Sequence, residues 1–166
     1  MSSNSVNIEL RTMLLNFVFF LTLFFYAFTA SQPLFYWMAV MGASRNMGAP
    51  AYIEMRNRID DQMRKRGPLV YYSTLVTTLV LAVFATIQGE PVVRMVSYIA
   101  SMGLVTDIML MIKGNIPINA IIQNWTPERY PSDWQIYRDR WLKIFGYRQI
   151  ALCIGFFSLL AGAVFK

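Results

Sequence analysis

The sequence predicts an all-α fold: a bundle of four transmembrane helices, with a cytoplasmic amphipathic helix between spans 1 and 2. Three observations carry that prediction. Of the 166 residues, 56% are hydrophobic and only 14% charged, against roughly 25% charged in an ordinary soluble domain. Four stretches approach or exceed the ~20 apolar residues that a spanning helix needs. The basic residues, finally, are gathered into two of the connecting segments.

The spans are read as about 13–40, 68–87, 92–112 and 142–165, within a single membrane domain of residues 1–166. The first is overlong. No charge occurs between Arg11 and Arg45, a stretch of about 50 Å as helix against about 30 Å of hydrocarbon. Ser31-Gln32-Pro33 interrupts it, and Pro33 removes a backbone donor. A kinked, tilted helix is expected, with a re-entrant stretch after Pro33 as the alternative. Met1 to Asn7 is polar, without a basic leader or a small-residue cleavage site, so the first helix is read as retained. Gln88-Gly89-Glu90-Pro91 is a turn signal that makes spans two and three a hairpin.

Four spans put both termini on one side and loops 44–67 and 113–137 on the other. Those loops and the adjoining start of the last helix carry Arg45, Arg56, Arg58, Arg64, Lys65, Arg66, Lys113, Arg129, Arg138, Arg140 and Lys143. The terminal side carries Arg11, Arg94 and Lys166. By the positive-inside rule both loops are cytoplasmic and both termini lie opposite. The net charge of +6 is explained by these membrane-flanking residues, so no nucleic-acid partner is implied.

Composition also excludes chemistry. There is no histidine and a single cysteine, Cys153, inside an apolar run. Zinc, haem-histidine and copper-histidine sites therefore cannot be built from this chain alone, and no metal is expected. The eleven methionines read as mobile core filler.

In the first loop, Tyr52, Met55, Ile59 and Met63 recur at helical spacing with charges between them, and Pro50 suits a first turn. This is the amphipathic helix, expected to pack on the bundle or the lipid headgroups. The second loop holds Asn115-Ile116-Pro117-Ile118-Asn119, then Trp125, then Ser132-Asp133-Trp134. Asn115 and Asn119 are one turn apart, while Pro117 between them argues for a broken helix. Ser132-Asp133 is a cap for a last helix beginning near Trp134. On that helix Trp134, Arg138, Trp141, Phe145 and Arg148 form one stripe. Alternating Trp and Arg can stack through cation–π contacts and suit an anionic or aromatic ligand. An interfacial belt is the competing explanation.

Arg148 should lie within the bilayer, where a charge costs at least about 2.5 kcal/mol at mid-depth and so needs a partner. Asp107, six residues before Lys113, lies at comparable depth on the third span. The two are expected to pair, as structural glue or as part of a site for a proton or a polar ligand head. Thr22, Ser73, Thr74, Thr77, Thr78 and Thr106 are expected to bond backbone carbonyls. Gly155 and Gly162 suggest close helix packing.

Taken together, Asn115, Pro117, Ile118, Asn119, Trp125, Trp134, Arg138, Trp141 and Arg148 resemble the motif of the anthrone-oxygenase-like family of small four-helix membrane proteins. The likeness covers most of the chain in layout and about 35 residues in motif. Where family sequences often carry a histidine, this chain has Ile144-Phe145-Gly146-Tyr147. The resemblance implies metal-independent oxygenation of a polycyclic anthrone to an anthraquinone, although most members have no assigned activity.

Two functions follow. In the first, the protein binds a hydrophobic aromatic or quinone-like molecule near the cytoplasmic face, between the last helix and the Asn115–Asn119 segment. Ligand residues would be Asn115, Asn119, Trp125, Trp134, Arg138, Trp141 and Arg148. Were it an enzyme, Arg138 or Arg148 would stabilise enolate charge, with Asp107 a candidate base and no base assigned. No cofactor is expected beyond a bound lipid, quinone or other aromatic molecule. In the second, it is a non-catalytic accessory subunit of a larger membrane complex, with other membrane subunits or copies of itself as partners beside the lipid bilayer. A transporter or channel is a weaker third, since only Asp107, Arg148 and Gln32 could line a path.

Overall fold

The structure is a computed structural model that describes residues 3–165, with side chains from residue 6 onward. Met1, Ser2 and Lys166, the last of which entered the charge comparison, lie outside the described residues. The chain is all-α. In order it forms α1 (Ser3–Phe35), a π-helical segment Tyr36–Val40, α2 (Met41–Asn46), α3 (Ala49–Gln88) and α4 (Pro91–Leu110). A second π-helical segment, Met111–Asn115, then leads to α5 (Ile116–Ile122) and α6 (Trp134–Phe165).

Four stretches, Val6–Asn46, Ala49–Gln88, Pro91–Ile122 and Trp134–Phe165, are long and apolar enough to cross a membrane. At 1.5 Å per residue each is roughly 48–60 Å long, well beyond the ~30 Å hydrocarbon core. The surplus is polar at one end of the bundle, where the first half of α3 and the first turns of α6 carry their charges.

The boundaries follow from local chemistry. Gly89, at φ +75°, closes α3 in the left-handed conformation that glycine adopts without strain. Pro50 and Pro91 occupy the first turns of α3 and α4, where a missing N–H costs no helical bond. Pro33 does not break the first span and no re-entrant stretch forms. Instead the helix continues through a wide turn in which the Met41 N–H reaches Tyr36 O, five residues back. The second π segment does the same before Pro117, where Ile116 N–H reaches Met111 O. The third span thus extends as helix to Ile122 instead of ending in a loop near Lys113.

The helix expected between spans 1 and 2 is not separate. It is the first half of α3, which runs unbroken through Pro68. Its inward face is also rotated from the apolar stripe, since Tyr52, Ile53, Arg56 and Asp60 are buried while Met63 is exposed. The reason is electrostatic: Arg56 and Asp60 turn inward to meet amide side chains on and just after α5.

The helices α1, α3, α4 and α6 close a ring, with α4 against α6 the most extensive pair. The apolar core in its middle includes Phe19, Tyr26, Leu81, Leu104, Leu152 and Leu159. Small residues let α4 and α6 approach. A Cβ at Gly103 would sit 2.6 Å from Ala151 O, one at Gly162 would sit 2.6 Å from Val96, and one at Gly155 would collide with the Tyr26 hydroxyl. The span threonines do more than satisfy their own helix. Thr22 donates to Thr77 O across α1 and α3 at 2.9 Å, and Thr29 and Thr74 share a 2.7 Å hydroxyl contact. Tyr26 ties α1 to α4 through Ala100 O at 3.0 Å.

Candidate functional site

A second cluster, at the polar end, is built from Tyr36, Tyr52, Ile53, Ile118, Trp134 and Trp141 with neighbours from every stretch that reaches it. Two hydrogen-bonded networks lie in and below this cluster.

The inner network centres on Arg148, which is 6% exposed, beside Asp107, which is fully buried. Arg148 Nε donates to Asp107 Oδ1 at 2.7 Å. Its Nη1 donates to Asn115 Oδ1 at 3.1 Å and its Nη2 to the Tyr71 hydroxyl at 2.8 Å. Every guanidinium nitrogen is therefore used. Four stretches contribute: α3, α4, the second π segment and α6. Asn115 passes the connection outward by donating to Trp141 O at 3.1 Å.

The outer network centres on Asn119. Its Oδ1 accepts from Trp141 Nε1 at 2.8 Å and from Arg56 Nη2 and Nε at 3.2 and 3.3 Å. Three N–H groups thus converge on one carbonyl oxygen with two lone pairs. The Asn119 amide donates in turn to Asp60 Oδ1 at 2.8 Å, and Gln123 donates to Asp60 Oδ2. Arg56 also lies 4.0 Å from the centre of the Trp141 ring, a close cation–π contact in a dry environment.

Aromatic rings wall this region. Trp141 and Phe145 are stacked at 4.8 Å, Tyr36 tilts against both at 5.2 and 4.7 Å, and Tyr52 lies 5.5 Å from Trp134. Along α6 the stripe is ordered as rings and cations: Arg138 over Trp134 at 5.0 Å, then Trp141 on Phe145, then Arg148 over Phe145 at 5.3 Å. Three buried polar atoms of this region have no hydrogen-bond partner among the described residues: Arg56 Nη1, the Tyr36 hydroxyl and the Tyr52 hydroxyl.

Of the residues singled out in the sequence, the networks bring together Asn115, Asn119, Trp141, Arg148 and Asp107. Trp134 and Arg138 pair at the outer edge, where Arg138 also donates to Arg45 O at 3.1 Å and to Asp139 at 3.0 Å. Trp125 joins no network and packs edge-on against Tyr137 at 5.2 Å. Asn115, Asn119 and Arg148 spend their side-chain polar groups on neighbouring residues of the bundle. Arg56, Asp60, Tyr71 and Gln123 were not singled out. The signal for two of them was present, because Tyr52, Arg56 and Asp60 recur every fourth residue and so share a face.

Among the described residues, no three His, Cys, Asp or Glu side chains gather as a metal ion would require. No family model matches the sequence, and no curated protein or solved structure does either.

Proposed function

We propose that this chain is a multi-pass membrane protein of the anthrone-oxygenase-like kind, binding a hydrophobic aromatic or quinone-like molecule at its polar, cytoplasmic end. The observation that carries the reading is the set of unpartnered buried donors, Arg56 Nη1 and the Tyr36 and Tyr52 hydroxyls, beside the rings of Trp134, Trp141 and Phe145. A buried polar group without a partner costs about 1–3 kcal/mol, so three in one cluster are a standing demand for an acceptor. A planar molecule with a carbonyl or phenolate oxygen supplies that acceptor and stacks on the surrounding rings.

Two features support the placement. Both π-helical segments abut the cluster, and such wide turns recur at functional sites. Arg56 is held by Asn119 and Trp141 with Nη1 left over, a donor already oriented before any ligand arrives. Arg148 is a poorer candidate for ligand chemistry, because Asp107, Asn115 and Tyr71 already satisfy it.

Tryptophan fluorescence of the detergent-purified protein, titrated with a hydroxyanthraquinone, tests the proposal. Saturable quenching is expected, and Tyr36→Phe and Tyr52→Phe should each weaken binding roughly five- to tenfold, the worth of one hydrogen bond. If both variants are merely more stable and bind equally well, the hydroxyls are unpaired core groups and the proposal fails. Stoichiometric co-purification of other membrane proteins, without quenching, would favour the accessory-subunit reading.

A further inference from the structure

We propose a second site, independent of the aromatic cage: a groove between the first span and α6 that takes one anionic phospholipid. The groove is open along one side and spans about 1130 Å³. Its walls are Leu34, Trp37 and Met41 on the first span and Ile150, Ile154 and Phe157 on α6. Arg45, Arg138 and Lys143 sit at its polar end, with Asp139 beside them.

Length and charge identify the occupant. From Lys143 to Phe157 the α6 wall is about 20 Å long, enough to cover the ~15 Å of one leaflet's hydrocarbon. Apolar wall and basic rim therefore stand as acyl chains and headgroup do in a single lipid. The one acidic rim residue, Asp139, accepts a hydrogen bond from Arg138 at 3.0 Å. Arg45 and Lys143 have no carboxylate within ion-pair distance among the described residues. Both are exposed. Two unneutralised cations at headgroup level, above an apolar slot, favour a negatively charged headgroup over a zwitterionic one. Gly146 lines the slot without a side chain, and a Cβ there would meet nothing within 4 Å, so a larger side chain can be built into the slot.

The test reconstitutes the full chain in bilayers of phosphatidylcholine and phosphatidylglycerol in equal parts. The phospholipids retained on gentle extraction are then counted by native mass spectrometry. Phosphatidylglycerol should be enriched over its share of the bilayer. Each cation near an anionic surface is worth about a factor of five, so Arg45→Gln with Lys143→Gln should lower the ratio of retained phosphatidylglycerol to phosphatidylcholine by up to about thirty-fold, towards parity. Gly146→Leu fills the slot without touching charge and should reduce retention of both lipids. Arg58→Gln with Arg64→Gln, on the exposed face of α3, should change nothing. Retention in bilayer proportion, enrichment that survives the Arg45/Lys143 double variant, or an equal loss in the α3 control would each overturn the proposal.

Discussion

Replacing Asp107 by Asn keeps the side chain's size and removes its charge, which leaves the Arg148 guanidinium buried opposite a neutral amide. Asp107 is fully buried and accepts from both Arg148 Nε, at 2.7 Å, and Nη2, at 3.4 Å. Breaking a buried ion pair by removing one partner costs about 3–5 kcal/mol. Tyr71 and Asn115 still accept from the same guanidinium, so the loss should fall near the lower end, about 3 kcal/mol. Removing both charges in Asp107→Leu with Arg148→Met should restore part of this. The charges then vanish together, and only the Tyr71 and Asn115 groups lose a partner, at about 1 kcal/mol each. The assay is a double-mutant cycle on reversible unfolding in detergent micelles, with Asp107→Leu and Arg148→Met as the single arms. A coupling energy of about 2 kcal/mol or more is expected. If Asp107→Asn unfolds within about 0.5 kcal/mol of the wild type, or if the cycle closes additively, the charges are solvated and the buried-pair account is wrong.

Asn119→Ala removes the acceptor shared by Arg56 and Trp141 and the donor to Asp60, so a loss of about 2–4 kcal/mol is expected in the same unfolding assay. Gly155→Leu should abolish or severely weaken folding, because the added carbon collides with the Tyr26 hydroxyl between α1, α4 and α6. Gly146→Leu should leave the unfolding midpoint nearly unchanged, since its surroundings are open. Arg58→Ala breaks only an exposed pair with Glu54 and should shift stability by no more than about 0.5 kcal/mol.

Much of the fold was legible because hydrophobic run length is a blunt, additive signal. Four helices are long and apolar enough to span a membrane, the hairpin turn lies at Gly89, and the last helix starts at Trp134. Helix continuity was harder to read. In sequence Pro33 and Pro117 look like breaks, and Pro68 like the start of the second span. In the fold, two are accommodated near wide turns and one inside α3, which continues as helix on both sides of Pro68. At the site, residues that share one face of α6 could be grouped by spacing alone. Arg56, Asp60 and Tyr71 could not be placed with them, because their partners lie 59 to 77 residues away. The first-loop stripe was misjudged for a related reason. Hydrophobicity favoured Met55, Ile59 and Met63 as the inner face, while amide partners on the α5 side made it better to bury Arg56 and Asp60.

Trp141 belongs to both networks, its carbonyl accepting from Asn115 and its indole donating to Asn119. That residue arrives late in synthesis. Asp107 leaves the ribosome 41 residues ahead of Arg148, an interval of about 2–8 s at ordinary elongation rates. For that time the third span holds an acidic group without its counter-ion, and Arg56 and Asn119, which bond each other directly, lack the Trp141 indole. The newly made chain is therefore least secure just before its last helix inserts, and a truncation ahead of α6 would leave the buried Asp107 of the third span without its counter-ion. The same residues that lock the finished bundle thus leave an unfinished one with a buried charge unpaired.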